Sequence, residues 1–178
     1  MRMAESPSES IPLLERPVVQ SLLLQAATHD RETGCLTAAY LAQRAAEEIL
    51  RRQRYGGRLS LLLVAPDEPG ERVADGPAPL VRLANRLRAR LRATDLLGRW
   101  GAEELVVLLP ATGLAGATRL GRRIVAPAPG EEGGPPLLVS VGVATWLGAA
   151  ETLGLLVERA RRGLAEARAR GGGRVGVG

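Results

Sequence analysis

Two adjacent carboxylates, Glu103 and Glu104, follow Gly101 and Ala102 in a short turn between the apolar pair Leu96-Leu97 and the run Leu105 to Leu109. Carboxylates at a turn can offer oxygen to a divalent cation, and Mg2+ is commonly held by one or two of them with phosphates and waters completing its octahedron. Just upstream lies Arg92-Ala-Thr-Asp95. A guanidinium donates in a fork to guanine O6 and N7 or to phosphate, and a carboxylate accepts from the guanine N1 and N2 hydrogens. Both groups also have an ordinary reading, as solvated turn residues and as a surface ion pair worth little. His29 is the sole histidine and stands beside Asp30, with no Ser/His/Asp or Cys/His constellation to be assembled around it. Gly171-Gly-Gly reads as a flexible terminus rather than a phosphate loop, because no helix follows it.

These residues need elements to hold them. Leu13, Leu14, Val18, Val19, Leu22 and Leu23 recur at helical spacing over residues 13–28, with Pro17 near the first turn. Thr37 suits the N-cap of a helix running to Arg54, with Tyr40, Leu41, Ala45 and Ile49 on one face. Tyr55-Gly-Gly-Arg58 ends it, and Leu59 to Ala65 reads as a buried strand. A loop rich in Pro, Gly and Asp covers Pro66 to Pro79. Leu80 to Arg92 is expected to be an amphipathic helix with Leu80, Leu83, Leu87 and Leu91 inward and Arg82, Arg86, Arg88, Arg90 and Arg92 outward.

The turn carrying Glu103 and Glu104 then forms a hairpin, with Gly101 supplying backbone freedom and Trp100 anchoring the hairpin in the core. Thr112 is expected to cap a helix reaching Val125, and Ala126 to Pro136 is a second Pro/Gly loop. Leu137 to Trp146 reads as a strand, Glu151 to Arg170 as a helix, and Gly171 to Gly178 as at most a short strand. This order implies an α+β fold, a sheet with helices packed against it.

The chain of 178 residues suffices for one domain and a short appendage. All 24 basic residues are Arg, and Phe is absent, so the core must be built from Leu, Val and Ala. A net charge of +5 would suit an anionic partner, but a solvated Arg-rich surface explains it better than nucleic-acid binding does. The single Cys35 excludes an intrachain disulfide. There is no apolar run of membrane-spanning length, and residues 1–10 lack the apolar stretch of a secretory signal, so the expectation is a cytoplasmic protein without a membrane partner.

Four motifs, in order, carry a resemblance. Asp30, Thr33 and Gly34 match part of an Asp-x-Leu-Thr-Gly-Leu-x-Asn-Arg opening. The hairpin reads Gly101-Ala102-Glu103-Glu104-Leu105, and Val139-Ser140-Val141-Gly142-Val143-Ala144 is an intact Val-Ser-x-Gly-Val-Ala. The helix from Leu156 to Ala167 follows Leu-x-x-Ala-Asp-x-Ala-Leu-Tyr-x-Ala-Lys, with Arg161 for Asp and Ala165 for Tyr. From about Asp30 to Val175 the chain resembles the GGDEF domain, the diguanylate cyclase family that joins two GTP into cyclic di-GMP.

The resemblance implies a nucleotide-cyclase-like (ferredoxin-like) fold, a central, mostly antiparallel sheet flanked by helices. It divides the chain into a disordered tail over 1–12, a helix over 13–28 for dimerisation or docking, and a GGDEF domain over 29–178. The family's hairpin metal carboxylate falls on Glu103, but its strand-end Asp falls on Ala65, and Asp67 is a strained substitute beyond Pro66. The family's Asn of the opening motif falls on Thr37, its base-recognising segment has no counterpart over 68–79, and its phosphate-binding Lys and Arg fall on Arg168 and Gly172.

Arg92 and Asp95 match the family's inhibitory Arg-x-x-Asp site for cyclic di-GMP, and a further Arg on the next helix falls on Arg123, beside Arg122. The expectation is therefore a degenerate domain that binds cyclic di-GMP at Arg92, Asp95 and Arg123 and signals to a protein partner or a second copy. No cofactor is expected. The alternatives are an active cyclase using Glu103, Glu104 and Mg2+ (with Glu103 and Asp67 as metal ligands), and an interaction module without nucleotide.

Overall fold

A computed structural model describes residues 16–67, 78–126, 136–148 and 150–178. The tail over 1–12, the start of the first helix, and most of the two Pro/Gly loops lie outside the described residues. The elements are α1 (Arg16–Thr28), α2 (Ala38–Tyr55), β1 (Leu59–Pro66), α3 (Pro79–Arg88), β2 (Leu96–Arg99), β3 (Leu105–Pro110), α4 (Leu114–Val125), β4 (Val139–Thr145), α5 (Leu153–Ala169) and β5 (Val175–Val177).

The strands form one sheet in the order β2-β3-β1-β4-β5, antiparallel throughout except for the parallel β4–β5 pair. Every residue of β1 is buried, as its apolar run from Leu61 to Ala65 requires when helices cover both faces, and the buried Ser60 donates to the Thr112 carbonyl at 2.8 Å. Leu62 and Val64 face one core with Leu83 and Leu87 of α3 and Ala117 and Ile124 of α4. Leu61, Leu63 and Ala65 face the other with Leu41 and Ile49 of α2 and Leu156 and Leu164 of α5. The α+β expectation, with a mostly antiparallel sheet, matches this architecture.

Local chemistry sets the ends. Thr37 caps α2 by accepting from the Tyr40 N–H, and Gly56 terminates it at φ +69. Gly142 brings α5 directly onto β4: a Cβ there would stand 1.8 Å from the Ala160 carbonyl oxygen. Only a residue without a side chain permits that contact.

Four expectations are corrected. The helix begun at Pro79 ends at Arg88, so Arg92 lies in the turn that precedes β2. Arg86, expected to face solvent, is buried, and its Nη1 donates to the Ile124 carbonyl at 3.4 Å. Its place one helical turn after Leu83 puts it on the inner face, where the carboxyl end of α4 supplies an acceptor that local spacing does not reveal. Thr112 does not cap α4: Gly113 occupies that position, and the Thr112 hydroxyl donates to the Pro110 carbonyl at 3.1 Å. Gly101 does not use a positive φ. Its turn is held instead by Trp100 and Gly101 N–H groups donating to the Glu104 carbonyl at 2.9 and 3.3 Å.

Candidate functional site

The end of α3 and the start of β2 are joined by a self-bonded turn. The Asp95 N–H donates to the Arg92 carbonyl at 3.0 Å, and the Arg92 N–H donates to Asp95 Oδ2 at 2.8 Å. This fixes the Arg92 backbone and one oxygen of Asp95, leaving the guanidinium and the other oxygen to face outward. On α4, Arg119 and Arg123 are four residues apart and so share a face.

Turn and helix meet at a groove of about 190 Å³ whose polar walls are Arg90, Arg92, Asp95, Arg119 and Arg123, over an apolar floor that includes Leu109 and Leu120. Arg92, Asp95 and Arg123, singled out from the sequence, thus come together in one depression. Arg90 and Arg119 were missed. Arg119 was findable, one turn before Arg123 on the same helix, whereas Arg90 depended on knowing that α3 ends early. The guanidiniums of Arg92, Arg119 and Arg123 carry no hydrogen bond or ion pair to any described residue.

The groove is braced from below. Arg90 Nη1 donates to the Arg86 carbonyl at 3.0 Å and its Nη2 to the Ala126 carbonyl at 3.3 Å, while Arg86 reaches the Ile124 carbonyl. Arg86 of α3 and Arg90 of the turn after it therefore satisfy orphan carbonyls at the end of α4, where a positive charge also suits the helix dipole. The brace fixes the separation between the two cationic walls.

The hairpin lies elsewhere, against α5 and the first loop. Arg99 donates to the Gly101 and Ala102 carbonyls at 3.2 and 3.1 Å, and to Asp30 and Glu32 at 3.1 and 2.6 Å. Burial pushes the Asp30 carboxyl up, but the Thr33 hydroxyl and N–H together with Arg99 outweigh it and hold Asp30 below its ordinary value. Glu104 accepts from Arg161 Nη2 at 3.2 Å, which together with Glu158 raises the guanidinium's pKa against the pull of burial. Glu103 is exposed. Trp100 packs half-buried on the α2–α5 core, as expected of an anchor.

At the end of β1, Ala65 pairs with Ser140 of β4. Asp67 Oδ2 accepts from the Gly173 N–H at 2.7 Å, and Oδ1 lies 3.8 Å from Arg168 Nε. Arg168 also donates to the Pro66 carbonyl at 2.6 Å. The Asp67 carboxylate thus ties the chain after α5 to the end of β1. Among the described residues no group of three or more His, Cys, Asp or Glu side chains stands together as a metal cage. His29 Nδ1 pairs with the Thr28 hydroxyl at 2.8 Å, a local structural contact.

A family model described as "Diguanylate cyclase, GGDEF domain" matches residues 27–174. Diguanylate cyclase DgcP of Pseudomonas aeruginosa is 37% identical over 164 residues, covering 86% of this chain and 24% of the relative. Response regulator PleD of Caulobacter vibrioides is 32% identical over 161 residues, covering 83% and 35%. The chain thus spans between a quarter and about a third of these relatives. Among solved structures, diguanylate cyclase SiaD of P. aeruginosa in complex with its activator SiaC superposes with a TM-score of 0.77 at 28% identity, over 93% of this chain and 67% of that one. A microbial GGDEF domain solved with cyclic di-GMP superposes with a TM-score of 0.73 at 25% identity, over 88% and 99%. No helix among the described residues is long and apolar enough to cross a membrane.

Proposed function

The chain belongs to the GGDEF family of diguanylate cyclase domains, and from that premise we propose that it is a cytoplasmic receptor for cyclic di-GMP rather than an enzyme that makes it. The observation that carries this reading is the groove where Arg92, Arg119 and Arg123 stand unpaired around Asp95. The free Asp95 oxygen suits the guanine N1 and N2 hydrogens, a guanidinium fork suits O6 and N7, and the remaining cations suit the phosphates.

The reaction side supports the same reading. Transfer of a nucleotidyl group between two GTP needs divalent metal to neutralise the triphosphate. The residues present fit such an ion poorly. Ala65 has no oxygen to offer, Glu104 is held by Arg161, and Asp67 Oδ2 accepts from the Gly173 N–H. That leaves the exposed Glu103 and the buried Asp67 Oδ1, 3.8 Å from Arg168 Nε, as the oxygens still open.

Binding would act through a protein partner or a second copy, for which Val19, Leu23 and Leu24 on α1 offer exposed apolar surface. The related cyclase solved with an activator protein gives that output a precedent in the fold. Calorimetric titration of cyclic di-GMP into the protein, beside an Arg92→Ala/Asp95→Ala variant, tests the reading. Binding at micromolar concentration or tighter in the wild type and its loss in the variant is the expected result. No heat from a folded wild type would remove it. Incubation with GTP and Mg2+ or Mn2+ is expected to yield no dinucleotide, and turnover would instead establish the cyclase.

A further inference from the structure

At one end of the sheet, carboxylate and carbonyl oxygens gather from two neighbouring strands. Val64 of β1 pairs with Leu105 of β3, so the residues just beyond that pair emerge side by side. On β1 these are Ala65, Pro66 and Asp67, and on the hairpin they are Glu104 and Glu103. Carboxylates and main-chain carbonyls are the ligands a hard divalent cation takes. Here guanidiniums have taken most of them.

Arg161 and Arg168 lie two turns apart on α5 and so share one side of it. Arg161 Nη2 donates to Glu104 Oε2 at 3.2 Å, and its Nη1 donates to Glu158. Arg168 Nη2 donates to the Pro66 carbonyl at 2.6 Å, and its Nε stands 3.8 Å from Asp67 Oδ1. Arg99, at the end of β2, donates to the Gly101 and Ala102 carbonyls of the hairpin turn at 3.2 and 3.1 Å.

Charge decides what else can enter. A Mg2+ ion held about 2.1 Å from Glu104 Oε2 would stand no more than about 5.3 Å from Arg161 Nη2. Like charges at that range repel, and a guanidinium does not give up its proton to relieve the conflict. An ion therefore enters only by displacing Arg161. The oxygens still open are those of the exposed Glu103 and Asp67 Oδ1, which is buried without a hydrogen bond on a side chain 10% exposed. Arg168 faces that last oxygen as well.

We propose that Arg161, supported by Arg168 and Arg99, stands in for a divalent cation at this end of the sheet and keeps one from binding. The hairpin is held against α5 by a charge the chain itself carries, and its geometry does not depend on metal. Glu103, Glu104 and Asp67 form a latent cation site closed by a guanidinium. The inference concerns the hairpin and not the groove, so it stands or falls apart from cyclic di-GMP binding.

The test is titration of Mn2+, followed by the EPR signal of the free ion, into the wild type, Arg161→Gln, Arg161→Lys and Arg161→Gln/Glu104→Gln. Thermal melting checks folding, and Arg161 is partly exposed, so its loss opens no hole in the core. The wild type and Arg161→Lys should show no saturable binding below about 1 mM, the weak end for protein cation sites. Arg161→Gln should take up one Mn2+ per chain with a Kd of about 0.1 mM or below, at least about tenfold tighter than the wild type. Adding Glu104→Gln should abolish that gain. Excess Mg2+ in place of EDTA should raise the melting temperature of Arg161→Gln and leave that of the wild type unchanged. Should Arg161→Gln not fold, Arg168→Gln, which releases the Pro66 carbonyl and Asp67, is read in the same way.

One Mn2+ per chain bound by the wild type below about 1 mM would overturn the proposal, since the guanidiniums would then exclude nothing. So would an Arg161→Gln affinity within about twofold of wild type, or a gain that survives Glu104→Gln. Metal binding by the wild type leaves the receptor reading to its own titration. Failure of cyclic di-GMP to bind removes the receptor reading and leaves this one standing.

Discussion

Unpaired cations on one face of a helix cost a little stability, and on the receptor reading a bound anion would offset that cost. Arg119 and Arg123 are like charges at i and i+4 of α4, with no described carboxylate to relieve them. Such a pair destabilises a helix by about 0.2–0.5 kcal/mol. Arg119→Ala and Arg123→Ala should each leave thermal stability unchanged or raise it by up to about 0.5 kcal/mol. Each should also weaken cyclic di-GMP by about ten- to a hundredfold, the range for a charge-assisted hydrogen bond. Melting curves and titrations on the same samples check both halves.

Asp30 behaves in the opposite way. Its folded pKa lies below the ordinary 3.8, so the stability it contributes is complete above its unfolded value and drains as pH falls through the folded one. Asp30→Asn should destabilise the protein at neutral pH by about 1–2 kcal/mol, because Arg99 and Thr33 lose a charged acceptor. The difference from wild type should narrow as pH falls from about 4 toward about 2, as denaturant titrations at several pH values would show.

The glycine of the Val-Ser-x-Gly-Val-Ala motif matters at the scale of elements. Gly142 lets the α5 backbone rest on β4, and a Cβ there would lie 1.8 Å from the Ala160 carbonyl oxygen and 2.5 Å from the Leu164 nitrogen. Neither is a flexible side-chain end that could move aside. Gly142→Ala should therefore cost more than about 4 kcal/mol, or prevent folding, as denaturant titration or expression would report. The strands and most helices were legible because their apolar patterns are strong: β1 and β3 as apolar runs (Leu61 to Ala65 and Leu105 to Leu109), α2 and α5 as stripes ending in caps. Arg86 was not legible, since a charge at an inward position looks like an outward one until its acceptor arrives from α4, 38 residues away. The early end of α3 was hidden for a similar reason, as the leucine stripe continues through Leu91 while the hydrogen bonds there tighten into a turn. Arg92 and Asp95 were legible in the site because their motif is local. Arg119 belongs with them through helical spacing alone, one turn before Arg123 on α4.

For the whole molecule, the sheet is a wall between two chemistries. The groove lies on the side of α3 and α4, while Ala65, Asp67 and the Glu104–Arg161 pair lie on the side of α2 and α5. All residues of β1 and the inner stretch of β3 are buried between them, so no side chain is shared by the two sites. Distant sites without common partners contribute additively, to within about 0.3–0.5 kcal/mol. Asp67→Asn and Glu104→Gln should therefore leave cyclic di-GMP affinity within about twofold of wild type. Asp67→Asn should nevertheless lower the melting temperature, because the Gly173 N–H and Arg168 lose their charged acceptor. The double variant Asp67→Asn/Arg123→Ala should show the stability loss of the first and the affinity loss of the second, each undiminished. A coupling above about 1 kcal/mol in that cycle would mean that the sheet transmits rather than separates. The hairpin side would then be the output through which an occupied groove is read.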